Sequence, residues 1–215
     1  VWRWRWLAGN WTTEDILNRA SKEIRNMKHL PICLLMIMAG LGTGLRGETV
    51  RICLDATAPD QMEPPMTVGW VSNAPPAVRA NLGRDLSTGR FLEIPQGAGN
   101  PPKVEGGAAV YTFEVPVSGE YFLWCRVWWS DECGNSFWIS LNDAKPFVFG
   151  ENATFKVWHW LKAPARLKQL QLEKGPQKLV IRNREDGAAL SQILLTTDRN
   201  YVPVGEEPVT KDKSQ

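Results

Sequence analysis

The stretch Gly119–Leu141, GEYFLWCRVWWSDECGNSFWISL, decides the predicted fold. Two apolar, aromatic-rich runs flank the short polar loop Ser130–Gly134, a pattern that predicts a β-hairpin. Side chains alternate between the two faces of a strand. One face is therefore expected to be core, and its residues are Tyr121, Leu123, Cys125, Val127, Trp129, Phe137, Ile139 and Leu141. The opposite face mixes indoles with polar groups, and its residues are Phe122, Trp124, Arg126, Trp128, Ser136, Trp138 and Ser140.

Short strand patterns recur on both sides of this stretch, separated by turns rich in glycine, proline and asparagine. These patterns are Thr49–Asp55, Thr67–Val71, Arg90–Ile94, Ala109–Val117, Lys156–Leu161, Leu167–Glu173, Gln177–Asn183 and Leu190–Thr196. Between them, Ser72–Thr88 is expected to be irregular and Lys174–Pro176 to form a hairpin turn. About nine short strands, with no helical pattern after residue 47, predict an all-β fold, an antiparallel β-sandwich.

The N-terminal part resembles a secretory signal peptide at residues 27–47. A short basic segment at Met27–His29 precedes the apolar run Leu30–Leu45, as in such signals. We hypothesise that Met27 is the true start and that residues 1–26 are an over-extended reading frame. The alternative is an amphipathic leader followed by an uncleaved anchor. The sandwich domain is then residues 48–204 and residues 205–215 form a flexible polar tail, in a protein that is secreted, periplasmic or displayed at the cell surface.

Composition narrows the classes of function. The net charge is only +2, and no Lys/Arg cluster indicates a nucleic-acid partner. No stable membrane span is expected after signal cleavage. His159 is the one histidine after residue 47, which excludes a zinc site of two histidines and leaves little for a Ser-His-Asp hydrolase. The chain is therefore predicted not to be an enzyme; the alternative is an accessory domain of a polysaccharide-degrading system.

Three cysteines follow the signal: Cys53, Cys125 and Cys133. An odd number allows at most one internal bridge. The strand between Cys125 and Cys133 separates these two residues too far for a bridge. A Cys53–Cys125 disulfide and buried free thiols both stay open.

Tryptophan is the compositional outlier, with 11 residues against 3 tyrosines. Indole rings stack on the C–H patches of sugars, while amide, guanidinium and carboxylate groups bind the hydroxyls. Arg184 is expected to form a polar network with Glu185 or Asp131. The predicted ligand-binding residues are Trp128, Trp129, Asn135, Trp158, His159, Arg184, Glu185 and Asp186. The competing interpretation is that these indoles cover the sandwich under long loops, and burial of both Trp128 and Trp158 would remove the platform.

Four motifs in this order are similar to a known family. They are G-x-Y-x-L-W-x-R-V at Gly119–Val127, N-S-F-W-I-S-L-N at Asn135–Asn142, W-x-W at Trp158–Trp160 and L-V-I-x-N-R-E-D-G at Leu179–Gly187. The chain resembles secreted bacterial domains related to carbohydrate-binding modules of families 6 and 35, with a galactose-binding-like jelly roll.

The resemblance implies sugar binding and a structural calcium ion held by three carboxylates. Here the corresponding positions are Asp55, Thr57 and Ser191, so two carboxylates are missing and a calcium site is weakened. The sequence therefore predicts non-catalytic binding of a glycan or polysaccharide. The alternative is a structural or cell-surface protein-interaction domain that keeps the fold without sugar binding; its protein partner is unknown.

Overall fold

The computed structural model describes residues 49–164, 167 and 170–210. The predicted signal peptide and the predicted over-extended segment, residues 1–47, lie outside the described residues. The strands are β1 Arg51–Asp55, β2 Gln61–Glu63, β3 Thr67–Trp70, β4 Arg90–Glu93, β5 Ala108–Val115, β6 Gly119–Glu120, β7 Phe122–Trp129, β8 Ser136–Leu141, β9 Phe147–Gly150, β10 His159–Lys162, β11 Gln171–Leu172, β12 Gly175–Asn183 and β13 Ala188–Thr196.

The strands form two main antiparallel sheets, which confirms the predicted antiparallel β-sandwich. Sheet A has the order β10-β7-β13-β4-β3, with β1 also paired to β13. Sheet B has the order β2-β5-β12-β8-β9. A third, small sheet pairs β11 with β6. Among the described residues, no helix is both long and apolar enough to cross a membrane.

The core lies between the inner faces of sheets A and B. Its large, fully buried side chains include Tyr121, Leu123, Trp129, Phe137, Ile139, Leu141, Leu179 and Ile181. Their period-two spacing along the strands explains why these segments are strands: each buries one row of apolar side chains. Each such side chain contributes about 1.5–3 kcal/mol by leaving water.

The predicted hairpin at Gly119–Leu141 is wrong, although both of its strands exist. Strand β7 pairs with β10 and β13 in sheet A, whereas β8 pairs with β9 and β12 in sheet B. The loop between them therefore crosses from one sheet to the other. Both runs still direct their apolar rows into the same core, from opposite sides. As a result Trp128 and Trp138, predicted on one face, lie on the outer faces of different sheets.

Two further local expectations differ from the structure. The stretch predicted to be irregular contains a 3₁₀ helix, Val71–Asn73, and a helix α1, Pro76–Leu82. Pro76 occupies the first turn of α1, where its missing N–H has no cost. The turn predicted at Lys174–Pro176 does not form a hairpin, because β12 already begins at Gly175 and pairs with β5 and β8.

The outer face of sheet A is covered by two segments, residues 71–88 and residues 198–210. The indole N–H of Trp158 donates to the carbonyl of Leu82 in the first segment, at 2.7 Å. The indole N–H of Trp160 donates to the carbonyl of Gly205 in the second segment, at 2.8 Å. Thr210 also exchanges hydrogen bonds with the backbone of Cys53. Residues 205–210, predicted to belong to a flexible tail, therefore pack on the sheet.

The two covering segments are joined through one buried arginine. Arg126 lies on the outer face of β7 and is 2% exposed. Its Nη2 donates to the carbonyl of Asp85 at 2.5 Å, and its Nη1 to Ser191 Oγ at 3.2 Å. Nη1 is also 3.6 Å from a carboxylate oxygen of Glu206, and the guanidinium lies 5.5 Å from the ring centroid of Trp158. Burial lowers the pKa of Arg126, and the carboxylates of Glu206 and Asp85 oppose that shift.

We predict that Arg126→Met lowers the free energy of unfolding by about 2–4 kcal/mol, because it leaves buried acceptors without their donor. Arg51→Met is the matched control: Arg51 is exposed and donates to the hydroxyl of Tyr201 at 3.1 Å, so its loss is expected to cost about 1 kcal/mol or less. Urea unfolding measures both variants. Equal losses for the two would contradict the role given to Arg126.

None of the three described cysteines forms a disulfide bond, which the sequence had left open. Cys53, Cys125 and Cys133 are all free, the first two buried and the third exposed. Cys125 lies in the core, while Cys53 lies on the outer face beside Trp124 and Leu194, so the sheet separates the two thiols. Burial, followed by the charges of Glu207 and Asp55, raises the pKa of Cys53 to about 12. Burial also raises the pKa of Cys125.

Alkylation of the native chain at pH 8 is expected to label Cys133 and to spare Cys53 and Cys125, because the reactive species is an accessible thiolate. Urea should make all three reactive. Peptide mapping by mass spectrometry identifies the labelled residues. Labelling of Cys53 at the rate of Cys133 in the native chain would contradict the burial of Cys53.

Candidate functional site

The stacking platform predicted from Trp128 and Trp158 is not present in this structure. Trp128 is 7% and Trp158 8% exposed, and both pack with Phe91 and Leu82 beneath residues 71–88. Trp129 is fully buried in the core, where its ring centroid is 5.6 Å from that of Phe137. Trp128 and Trp158 therefore fit the competing interpretation, that indoles cover the sandwich, whereas Trp129 is a core residue between the two sheets.

The polar residues of the prediction do come together, at one end of the sandwich. Four loops meet there: residues 94–107, 130–135, 151–158 and 184–187. They meet because β7, β12, β4 and β9 end at this edge, while their antiparallel partners β13, β8 and β5 begin there. Direct contacts link the loops in pairs, such as the backbone N–H of Ser130 to the carbonyl of Gly187 at 3.2 Å.

The centre of this loop end is the carboxylate of Glu185. It accepts hydrogen bonds from the backbone N–H of Asn135, at 3.2 Å, and from the hydroxyl of Ser136. It also pairs with Arg184 Nη1, the first of the two partners predicted for that arginine. Arg184 itself contacts the Ser136 hydroxyl. Since Glu185 uses both of its oxygens, this network holds the Arg184 side chain in a defined position.

Asp186 fixes the same loop from the opposite side. Its Oδ2 accepts hydrogen bonds from the backbone N–H groups of Gly97, at 2.8 Å, and Gly99, at 3.1 Å. The next residue, Gly187, has a φ of +79°, and a Cβ there would collide with the side chains of Gln96 and Ser130. Only glycine fits this position. The loop is therefore rigidly attached to its neighbours.

Asn135 and His159 connect the remaining loops. The Asn135 side-chain N–H donates to the carbonyl of Glu132 at 3.0 Å and faces Asn152 Oδ1 at 3.4 Å. His159 Nε2 lies 2.9 Å from Glu151 Oε1, an orientation that is not aligned as a hydrogen bond. His159, on edge strand β10 of sheet A, thus faces a carboxylate that directly follows edge strand β9 of sheet B, so this pair lies at the junction of the two sheets.

Trp138 is the aromatic residue that this site adds to the predicted set. It is partly exposed on the outer face of β8, and the Arg184 guanidinium lies 5.9 Å from its ring centroid. Val148, its cross-strand neighbour, is 40% exposed. The signal was present in the sequence, where the alternation in SFWISL places Trp138 opposite the core residues. The indole of Trp138 therefore lies beside the guanidinium of Arg184, whose position is fixed by the Glu185 network.

Trp70 is a second exposed indole, at 47%. It lies on β3, the edge strand of sheet A, with the guanidinium of Arg90 5.1 Å from its ring centroid. Trp70 is therefore a natural comparison for the partly exposed Trp138: both lie near an arginine, but Trp70 is more exposed and lies outside the Glu185 network.

The residues at the predicted calcium positions do not fit a calcium ion. Asp55 Oδ1 already accepts hydrogen bonds from the backbone N–H and the hydroxyl of Thr57, both at 2.8 Å. The Ser191 hydroxyl lies 3.2 Å from the Arg126 guanidinium, whose positive charge repels a cation. In the described part of the chain, no group of three or more His, Cys, Asp or Glu side chains could hold a metal ion.

We therefore expect 1 mM CaCl₂ and excess EDTA to give the same urea unfolding midpoint. A folded-state site with a dissociation constant of about 10 μM would add about 2.7 kcal/mol at that calcium concentration. A calcium-dependent shift of that size would contradict the misfit at Asp55 and Ser191.

No protein-family model and no curated protein matches the chain. Several solved structures are similar to the chain. The exo-β-1,3-galactanase of Phanerochaete chrysosporium, determined with galactose, is similar at 14% identity and a TM-score of 0.48 over 68% of this chain. The chain spans 29% of the length of that enzyme.

Two carbohydrate-binding modules are similar over almost their whole length. One is module CBM6cm-2 of the Cellvibrio mixtus lichenase 5A, in complex with cellotriose; the other is the C-terminal family 6 module of a laminarinase from Zobellia galactanivorans. Each has 15% identity and a TM-score of 0.46 over 69% of this chain, which covers 98% and 100% of the modules. The predicted resemblance is confirmed to this extent: family 6 modules are among the similar structures.

Proposed function

We propose that this domain binds a glycan or polysaccharide without catalysis, at the loop end of the sandwich beside Trp138. One observation carries the proposal: a partly exposed indole lies next to a polar network whose members are already held in place. The proposed contacts are Trp138, Asn135, Arg184 and Glu185. Asp186 supports the site through the backbone of the 94–107 loop.

The chemistry of these groups suits a sugar. The flat indole offers an apolar surface for the C–H face of a pyranose, and the ring lies on a rigid strand. Beside it, Arg184 can donate and Glu185 can accept hydrogen bonds from hydroxyls. Because both side chains are already ordered by Ser136 and Asn135, binding costs little side-chain entropy. A preorganised site of this kind needs no large pocket.

A non-catalytic role is supported by how the titratable groups are used. Glu185 and Asp186 are engaged in hydrogen bonds that hold loops together, and His159 faces Glu151 at the sheet junction. None of these groups is left as a free acid or base next to the proposed sugar surface. Export of the domain is part of the proposal and is supported by the signal-like pattern of residues 27–47.

Replacing Trp138 by alanine is expected to weaken glycan binding at least tenfold, or about 1.4 kcal/mol. Trp70→Ala is the control: it removes a more exposed indole, at 47%, that lies outside the Glu185 network, and it should leave affinity unchanged. A glycan array identifies ligands for the unaltered full chain, and calorimetric titration measures each variant on the best of them. Loss of binding in Trp70→Ala with retention in Trp138→Ala would move the site to β3.

No response to any glycan on a broad array would contradict sugar binding. The alternative, a structural or cell-surface protein-interaction domain on the same fold, would then account for the structure.

A further inference from the structure

One segment, residues 203–210, crosses the outer face of sheet A and is called the strap. Above edge strand β10, the carbonyl of Gly205 accepts a hydrogen bond from the indole N–H of Trp160 at 2.8 Å. Above β7, a carboxylate oxygen of Glu206 lies 3.6 Å from Nη1 of Arg126. The first half of the strap is therefore held by two neighbouring strands, β10 and β7.

The second half of the strap is held by β13 and β1. The side-chain amide of Gln192, on β13, donates to the carbonyl of Glu207 at 2.7 Å and accepts from the N–H of Glu207 at 2.9 Å. On β1, the carbonyl of Cys53 accepts from the N–H of Thr210 at 2.8 Å, and the N–H of Cys53 donates to the Thr210 hydroxyl at 2.9 Å. The strap thus contacts β10, β7, β13 and β1 in turn.

The sheet binds mostly the main chain of the strap. The main-chain groups in contact are the carbonyl of Gly205, the N–H and carbonyl of Glu207 and the N–H of Thr210. Extended peptides share such groups, so these contacts select a conformation more than a sequence. One contact selects a side chain, because the carboxylate of Glu206 lies beside the buried guanidinium of Arg126. The face therefore fits an extended peptide that carries a carboxylate opposite Arg126.

Few apolar contacts hold the strap in place. Of its two prolines and two valines, only Pro203 is buried. Val204 is 82% and Val209 46% exposed, and the preceding Val202 is 65% exposed. Because apolar burial is the dominant favourable contribution to folding, we expect the strap to open at a lower free energy than the core strands. Opening uncovers the outer face of sheet A while the sandwich stays folded.

We infer that the outer face of sheet A is a peptide-binding surface, which its own strap occupies, and that a second copy of this chain can supply the same strap in exchange. The strap shows which peptide fits the face, and a second copy carries that peptide. Exchange of an identical segment between two copies remakes every contact. In the exchanged dimer the two connections from β13 to the straps pass each other, so the exposed Val202 and Val204 of both copies lie at one junction.

Two buried thiols report separately on the strap and on the core. Cys53 lies beneath the strap, with its Sγ 4.0 Å from the carbonyl of Glu207, whereas Cys125 lies between the sheets. Glu206→Gln removes the carboxylate from the strap and leaves the face unaltered. In the full chain, this variant is expected to raise the alkylation rate of Cys53 about tenfold or more, because it weakens a contact to a charged group in the closed form. Cys125 should stay protected.

Glu114→Gln is the matched control, since Glu114 is exposed on β5 of sheet B. It should leave the alkylation rate of Cys53 unchanged, and peptide mapping by mass spectrometry measures each rate. Equal rates in Glu206→Gln and the unaltered chain would overturn the role given to Glu206. Labelling of Cys125 together with Cys53 would overturn the independent opening of the strap.

A synthetic peptide of residues 203–210 tests whether the face accepts the strap from another molecule. Added in excess to the Glu206→Gln chain, it is expected to slow the alkylation of Cys53 about tenfold, because it covers the face that the weakened strap leaves open. The same peptide with glutamine in place of its first glutamate should protect much less. No protection by the first peptide, or equal protection by both, would overturn the inference.

Light scattering after size-exclusion chromatography tests the second copy as the partner. The unaltered full chain is refolded from urea at low and at high protein concentration, and the dimer fraction is expected to rise with concentration. On dilution, dimers of Glu206→Gln should return to monomers about tenfold faster than those of Glu114→Gln, because each strap must first leave its face. Monomers at every concentration, or equal rates for the two variants, would overturn exchange between copies.

Discussion

The buried guanidinium of Arg126 is the constraint on which the outer face of sheet A depends. A charge this deeply buried is tolerated only when it is paired and hydrogen-bonded. Its partners come from β13 and from both covering segments: Ser191, the carbonyl of Asp85 and the carboxylate of Glu206. The segments also touch each other, because the backbone N–H of Ser87 donates to Glu206. The contacts of this one arginine therefore help to hold both covering segments on the outer face of sheet A.

Because residues 71–88 and 198–210 cover the outer face of sheet A, the aromatic side chains of that face are not available to a ligand. The aromatic residues on the covered face of sheet A serve the packing of residues 71–88 and 198–210. The same arginine contacts the hydroxyl of Ser191, one of the three predicted calcium positions, and its positive charge repels a cation there. The outer face of sheet B has Val148 and Arg182 exposed around Trp138. The loop end and this open face meet at Trp138, where stacking and charge are combined.

Much of the candidate site was accessible from the sequence, and the missing part has a clear cause. The loop residues Asn135, Arg184 and Glu185 were predicted together because each follows or precedes a strand pattern at a polar turn. The aromatic partner was misassigned because Trp124, Trp128 and Trp138 were placed on one hairpin face. Strands β7 and β8 were predicted to pair with each other because they are close in the chain. In the structure, β7 pairs with β13 and β8 pairs with β12. Proximity in sequence does not select a strand's partner when a longer complementary strand is available.

The sequence by itself determined the class of fold and the inner and outer rows of each strand, because period-two alternation is a local property that needs no knowledge of the partners. The same alternation placed Trp129 and Phe137 in the core row and Trp138 in the outer row, although Trp129 was also predicted to contact a ligand. Only the tertiary structure decided which outer faces stay open. Coverage of Trp128 and Trp158 depends on residues 71–88, far away along the chain, and on a buried arginine whose partners come from three separate segments. Such long-range contacts leave no periodic pattern, so their outcome is set by packing and charge compensation in the folded chain.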